Sequence, residues 1–317
     1  MILVTGGQGM LGKALQPLLP DAYFASRADA DLRDKEQAAA LFERIKPDTV
    51  IHLAATVGGI KANIDQPYDF IADNLAINQN VIDHCIMHKS RLMAASSTCV
   101  YPAQCTRYPM HEDMVEDGPP HWSNASYAIA KRAMQTAMDA AAKQYGLQGV
   151  VLYLSNMYGP HDDFNPETAH LVPALIAKMC NATGPIELMG DGSPMREFTY
   201  VGDVAAVVVK LLTHDGPSWR NICDKWRYNV STDESRSISE IASIVAAATG
   251  YTGKLSWSGD GCQNGTYRKN ASTARLAAKG CCVDWTPLYA GVVETVEWYR
   301  ENVAKESVWA ERMLTRL

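Results

Sequence analysis

The sequence predicts an α/β fold, a Rossmann-like doubly wound parallel sheet with a smaller mixed α/β domain threaded through its C-terminal half. Three observations carry that expectation. A short apolar run, Ile2-Leu3-Val4, breaks into Thr5-Gly6-Gly7-Gln8-Gly9-Met10-Leu11-Gly12 and resumes at helical spacing with Ala14, Leu15, Leu18 and Leu19. Apolar runs of strand length then alternate with helical stretches as far as residue 155, as in a parallel sheet with crossover helices. Polar residues, Ser96 and Ser97 and later Asn156, stand at the C-terminal ends of such runs, where open α/β sheets bind their ligands.

The first segment reads as strand, glycine turn and helix. Such a turn lets backbone N–H groups approach a pyrophosphate, and its last glycine permits close helix-to-strand packing. The spacing is G-x-x-G-x-x-G, which a plain βα turn could also show. The next strand, Tyr23-Phe24-Ala25-Ser26, ends at Arg27. An acid at that place suits a free ribose 2′-hydroxyl and an arginine suits a 2′-phosphate, so NADP is favoured over NAD; the other reading of Arg27 is a solvated loop charge. Asp29 and Asp31 follow, within reach of the adenosine end.

A helix from about Lys35 to Ile45 leads into Thr49-Val50-Ile51-His52-Leu53-Ala54-Ala55, a buried parallel strand, and Val57-Gly58-Gly59-Ile60 forms a glycine loop at its end. A long helix is expected over residues 69 to 87, and Leu92-Met93-Ala94-Ala95 is the strand that delivers Ser96 and Ser97. A loop rich in proline and acidic residues precedes the helix of Tyr127, and Gly149 to Leu154 is a further strand opening into Ser155-Asn156-Met157-Tyr158-Gly159-Pro160. Helices follow over His170 to Cys180 and Val204 to Leu212. Ser237-Ile238-Ser239-Glu240 has the form of a capping box, closed by Gly250. Thr286-Pro287 reads as a threonine cap with proline at the first helical position. The dinucleotide domain is expected over 1–157 and about 198–226, the second domain over 158–197 and about 227–317.

Composition narrows the classes. The 317 residues carry a net charge of −6, with 47% hydrophobic and 20% charged residues, and no basic block marks a nucleic-acid binder. The eight cysteines form no C-x-x-C pair, and no zinc spacing is present; no metal is expected. Residues 1 to 12 leave no room for a basic-then-apolar leader, and no apolar run approaches the roughly 18 residues that span a bilayer. The expectation is a cytoplasmic protein whose cysteines are free thiols.

The chemistry is expected in two stretches, Ser97-Thr98-Cys99-Val100-Tyr101-Pro102 and Tyr127-Ala128-Ile129-Ala130-Lys131. On a helix, residues four apart share a face. An ammonium beside a phenol favours phenolate and brings the tyrosine toward proton exchange near neutral pH, and a serine hydroxyl alongside could hold a carbonyl. The spacing Tyr-x-x-x-Lys arises readily by chance in a chain with 14 tyrosines, so its company decides. Cys99, two residues past Ser97, is expected to share its face of the strand end. A lone histidine such as His170 is more often structural, although it titrates where general acid–base chemistry needs it.

With glycine turn, strand-end serine and Tyr-x-x-x-Lys in that order, the chain resembles an extended short-chain dehydrogenase/reductase. Ala55-Thr56-Val57-Gly58-Gly59-Ile60, Asn156-Met157-Tyr158-Gly159-Pro160-His161-Asp162-Asp163-Phe164, His170-Leu171-Val172-Pro173-Ala174-Leu175 and Gly192-Ser193-Pro194-Met195-Arg196-Glu197-Phe198 are similar, within that group, to the GDP-L-fucose synthase family. The resemblance implies an NADPH-dependent 3,5-epimerase and 4-reductase of GDP-4-keto-6-deoxy-D-mannose, forming a homodimer through the helices at 69–87 and 125–144. It makes Tyr127 the proton donor to the C4 oxygen, Lys131 its activator and a ribose ligand, Ser97 the carbonyl partner, and Cys99 with His170 the epimerisation acid/base pair. Ala55, Leu154, Asn156, Met157 and His170 join the glycine turn, Arg27 and Asp31 as implied cofactor contacts. Lys178, Met189, Arg196, Asn264 and Lys269, with Ser97 and Asn156, fall on positions implied to hold the GDP-sugar; three cations in an acidic chain suit a diphosphate. Met189, Asn264 and Asp163 depart from the residues usual there. A glutamate, usual at the Cys99 position in related dehydratases, is missing, which disfavours dehydration. Two other readings stay open: a GDP-sugar 4-reductase without epimerase activity, and a non-catalytic NADP-binding regulatory protein.

Overall fold

The computed structural model describes residues 1–165, 168–213, 227–259 and 267–304. In chain order its elements are β1 (Ile2–Thr5), α1 (Met10–Leu15), β2 (Tyr23–Ala25), α2 (Lys35–Ile45), β3 (Thr49–His52), α3 (Ile60–Asp65), α4 (Pro67–His88), β4 (Arg91–Ser97), α5 (Ala125–Tyr145), β5 (Gly149–Leu154), β6 (Asn156–Tyr158), α6 (Leu171–Asn181), β7 (Ile186–Leu188), β8 (Met195–Tyr200), α7 (Val201–Thr213), β9 (Arg227–Val230), β10 (Ser235–Ser237), α8 (Ile238–Thr249), β11 (Leu255–Trp257), β12 (Arg268–Lys269), α9 (Ala274–Ala278) and α10 (Leu288–Asn302).

The main sheet runs β2-β1-β3-β4-β5-β9, every pairing parallel. Because β2 lies on one side of β1 and β3 on the other, the order reverses at β1, and a crevice opens beyond Thr5 and His52. Both faces are covered, so β3 and β5 are buried along their whole length. One core joins the sheet to α2, α4 and α5 through Phe42, Ile82, Met134 and Met138. The opposite core joins it to α1, α7 and α9 through Leu15, Val204, Val208 and Leu276. A third core gathers α6, α8 and α10 over β7 and β8 through Leu175, Ile241, Val245 and Val296. There β8 is flanked by β10 and β12 and also pairs with β6, so the small sheet begins two residues beyond the end of β5.

The local signals act as read at most ends. Asp34 caps α2 by accepting from the Glu36 and Gln37 N–H groups, and Ser237 and Glu240 form the reciprocal box at α8 before Gly250 at φ 71°. Three expectations need correction. Pro287, not Thr286, caps α10, because the Thr286 N–H and hydroxyl both donate to the Asp203 carboxylate on α7, at 2.7 and 2.8 Å. Residues Arg227–Val230, expected in the second domain, form the outer strand of the main sheet against β5; a four-residue strand after a long interruption leaves no periodicity to read. The strand expected to run to Ala55 ends at His52, where the backbone turns to meet Thr5.

Candidate functional site

The glycine turn is built from contacts that forbid side chains. Gly6 holds φ +70°, and a Cβ there would lie 2.8 Å from the Ala54 nitrogen; one on Gly7 would lie 2.6 Å from the Phe24 Cβ, and one on Gly12 2.7 Å from the Gly6 carbonyl oxygen. The turn closes on itself, Gly9 N–H donating to the Gly6 carbonyl at 3.0 Å. Gln8 and Gly9 are exposed, and Met10 and Leu11 stand in the first turn of α1, where N–H groups have no intrahelical acceptor. A cradle lined by backbone and closed to side chains fits a diphosphate.

At the rim, Arg27 is 71% exposed and ion-pairs with Asp31 at 3.3 Å. Asp31 is held more firmly by Arg33, whose Nε approaches to 3.0 Å, and Arg33 also reaches Asp73 at 3.1 Å. Asp29 is spent locally: it accepts from the Ser26 N–H and hydroxyl and from Tyr23, and these bonds hold its carboxyl at about 2. Ala55 begins a loop fastened by Asn74, fully buried, which exchanges hydrogen bonds with the Thr56 N–H and carbonyl at 3.1 and 2.9 Å.

Tyr127 and Lys131 share one face of α5. Lys131 is 1% exposed; its Nζ donates to the Ala95 carbonyl on β4 at 2.9 Å and lies 5.9 Å from the centroid of the Tyr127 ring. Burial pulls the ammonium down to about 8. The expectation of an acidified phenol is corrected. Burial, then the neighbouring Cys99, push Tyr127 above its ordinary value, because the ammonium is anchored on a carbonyl and the cost of desolvating a phenolate dominates.

Ser97 ends β4, and its hydroxyl accepts the Cys99 N–H at 3.2 Å across a single turn of 3-10 helix over Thr98–Val100. Cys99 therefore reaches the site by that turn, not by the alternation of a continuing strand. The Lys269 Nζ stands 3.8 Å from its sulfur, and Arg196, lowered by burial, lies within electrostatic reach of it. Ser97, Cys99, Tyr127, Lys131, Arg196 and Lys269 thus come from β4, α5, β8 and β12 to one place.

His170 caps α6 at the surface. A Cβ on Gly59 would lie 3.8 Å from the Ala169 carbonyl, so the segment carrying His170 abuts the loop after β3. Crowding around the ring lowers its pKa and Asp163 opposes that; the ring is at once wetted and closely surrounded, as in a cleft. Among the described residues no hydrogen bond joins it to Cys99, Tyr127 or Ser97. Lys178 is exposed on α6, and Met189 is 73% exposed. Leu154 is buried in the sheet and Met157 packs on the core shared with α1, α7 and α9. The Asn156 amide donates to the Glu197 carbonyl at 2.9 Å, joining β6 to β8. Asn264 lies outside the described residues.

Sequence reasoning missed a buried polar chain beneath these groups. The Thr5 hydroxyl meets His52 Nδ1 at 2.8 Å, and His52 Nε2 meets Asn78 Oδ1 at 3.1 Å; Asn78 in turn donates to the Ala130 carbonyl at 3.5 Å. Burial, then the Lys131 charge, hold His52 at about 3, so the ring is neutral, donates through Nε2 and accepts through Nδ1. A histidine inside the apolar run 49–55 was the available signal.

The model of the NAD dependent epimerase/dehydratase family matches residues 2–223. The chain belongs to this family. Among relatives, it is 34% identical to a protein of Drosophila melanogaster named a probable GDP-L-fucose synthase, over 95% of this chain and 97% of that one. It is 31% identical to the GDP-L-fucose synthase of Escherichia coli, again over 95% of this chain and 97% of that one. The crystal structure of a GDP-L-fucose synthetase from Naegleria fowleri bound to NADP is similar at TM-score 0.83 and 29% identity, with 96% of this chain and 94% of that chain covered. In an epimerase/dehydratase family member, the crevice at the order reversal of the sheet and the Tyr127–Lys131 face lie on the same, C-terminal edge of the strands.

Proposed function

We propose that this protein is a GDP-L-fucose synthase: it converts GDP-4-keto-6-deoxy-D-mannose to GDP-L-fucose by epimerisation at C3 and C5 and reduction at C4. The observation that carries this reading is the meeting of a thiol, a phenol and two cations around Cys99. NADPH, when bound, supplies the hydride for C4. The glycine turn takes its diphosphate, Arg27 the 2′-phosphate, Asp31 the adenosine end and Lys131 the nicotinamide ribose, with Ala55, Leu154, Asn156, Met157 and His170 along the wall.

Ser97 holds the C4 carbonyl. Cys99 exchanges the C3 and C5 protons, and the enediolate charge that develops on the C4 oxygen is met by Ser97 and the neutral phenol of Tyr127. His170 works from the opposite face of the sugar once the second domain has closed over it. After hydride transfer Tyr127 protonates the oxygen, and its raised pKa keeps it charged with that proton at neutral pH. Arg196 and Lys269 face the GDP-sugar diphosphate, with Lys178, Met189 and Asn264 around the nucleotide. We further infer a cytoplasmic homodimer packed through α4 and α5, which expose Tyr68, Leu75, Met87 and Ile129; light scattering of the purified protein tests it.

A reading with reduction alone has one observation in its favour, the absence among the described residues of a hydrogen bond from His170 to the Cys99 group. Incubation with GDP-4-keto-6-deoxy-D-mannose and NADPH in deuterium oxide, with the product examined by NMR, separates the two. Deuterium at C3 and C5 with L-fuco stereochemistry is expected. Reduction without deuterium would leave a 4-reductase, and no NADPH oxidation would end both readings.

A further inference from the structure

Glu197 is a buried acid whose place in the fold packing does not explain. It lies on β8, 2% exposed, between Arg196 and Phe198. Its Oε2 accepts from the Ser231 hydroxyl at 2.6 Å and from the Ala271 N–H at 2.9 Å. Ser231 directly follows β9 of the main sheet, and Ala271 lies two residues beyond Lys269. One carboxylate thus ties the edge of the dinucleotide sheet to the strand that carries the cation facing Cys99. The partner β12 pairs with β8 so that Lys269 stands beside Arg196. On its far side, the Asn270–Ser272 stretch is fixed by Met110, whose N–H donates to the Asn270 carbonyl and whose carbonyl accepts from the Ser272 N–H, both at 2.8 Å. The Glu197 carbonyl takes the Asn156 amide as well. Remove the carboxylate and the stretch just beyond Lys269 loses its side-chain tie to β8, leaving the backbone pairing of β12 with β8 to hold it alone on that side.

We propose that Glu197 is a positioning residue for epimerisation: as a carboxylate it holds the Lys269 strand so that the ammonium stays against Cys99, and on protonation that hold slackens. The inference rests on the GDP-L-fucose synthase reading. Charge-assisted bonds to a carboxylate are about twice as strong as those to a neutral carboxyl, so the two bonds of Oε2 report the ionisation state. Burial raises this carboxyl to about 7, with Asp233 pushing the same way, while Ser231, Ala271 and the Arg268 guanidinium oppose the rise. The sign follows: the carboxylate predominates above pH 7 and the latch weakens as pH falls through 7.

The test reads proton exchange alone. Enzyme, GDP-4-keto-6-deoxy-D-mannose and NADP+ are mixed in deuterium oxide without reductant, and wash-in at C3 and C5 is followed between pH 6 and 8.5. Glu197→Gln, which keeps the shape and stays neutral, is expected to lower wash-in about tenfold at pH 8 and under threefold at pH 6, flattening the rise seen in the unmodified protein. Ser231→Ala removes one donor that favours the charged form, so its rise is expected to move to higher pH with the plateau retained. NADP+ binding and thermal melting check that both variants are folded, and should Glu197→Gln fail to fold, the Ser231→Ala shift decides. Unmodified protein with no wash-in overturns the epimerase reading itself. Wash-in by the unmodified protein, with variants that keep its pH profile, overturns the role of Glu197 alone.

Discussion

Replacing Lys131 with methionine should remove reduction and yet make the cofactor-free protein harder to unfold. Lys131 is 1% exposed, and burial lowers its pKa from 10.5 to about 8. A shift of that size at about 1.4 kcal/mol per unit corresponds to ~3 kcal/mol by which the folded state disfavours the charged form. Methionine fills much of the same volume without a charge, but leaves the Ala95 carbonyl without the ammonium at 2.9 Å, a loss of about 1 kcal/mol. The net is a gain of roughly 2 kcal/mol at pH 7, about 3 °C in a chain of this size. Sign and window follow from the pKa. Below pH 8 the lysine is charged both folded and unfolded and the full penalty stands; between 8 and 10.5 only the unfolded chain is charged, so the penalty fades and is gone above 10.5. Thermal melts of both proteins at pH 7 and pH 10 would show the advantage of Lys131→Met at the first and little at the second. A variant that is less stable than its parent at pH 7, or equally favoured at both pH values, would refute the reasoning.

Cys99→Ala should lower deuterium wash-in at C3 and C5 by about 100-fold or more, the scale of losing a positioned acid–base group, while NADPH binding measured by fluorescence is unchanged. Gly12→Ala places a Cβ 2.7 Å from the Gly6 carbonyl oxygen, backbone that cannot step aside; a loss of about 1–3 kcal/mol in stability together with weakened NADPH binding is expected in calorimetry. Arg27→Ala should narrow the preference for NADPH over NADH by roughly 10- to 100-fold in kcat/KM, from the loss of charge-assisted bonds worth about 1.5–3 kcal/mol, with little change in melting temperature because Arg27 is 71% exposed.

What could be read from the chain was whatever is encoded within a few residues. The strand Gly149–Leu154, the helix Lys35–Ile45 and the box at Ser237 each carry their own signal and form as expected. Short elements that exist only through a distant partner were not legible. β6 has three residues and is made by β8, β12 has two and is also made by β8, and β9 becomes a strand because β5 offers it an edge. The site divides the same way. Tyr127 and Lys131 share a face by helical geometry alone. Lys269 comes near Cys99 because β12 pairs with β8 and Glu197 reaches Ala271 across 74 residues of chain, and no local pattern announces that. The state of the phenol was misjudged for a related reason: the ammonium was counted from the sequence, and the desolvation was not.

The corrected ionisation states bear on how one pocket can run opposite proton transfers. Epimerisation needs a base at carbon and a hydrogen-bond donor at oxygen, and reduction needs an acid at that same oxygen. Negative charge on Cys99 raises the Tyr127 pKa, so whenever the thiol surrenders its proton the phenol is held more firmly in its neutral, donating form. A Tyr127 acidified by Lys131, as the bare spacing suggests, would place a phenolate beside Cys99, whose charge opposes it. With the lysine fastened to Ala95 and the cations Lys269 and Arg196 placed on the thiol side, the phenol that the proposed reading makes the acid at oxygen stays neutral. Burial and the placement of cations thereby decide the state of the phenol, which sequence spacing alone leaves open.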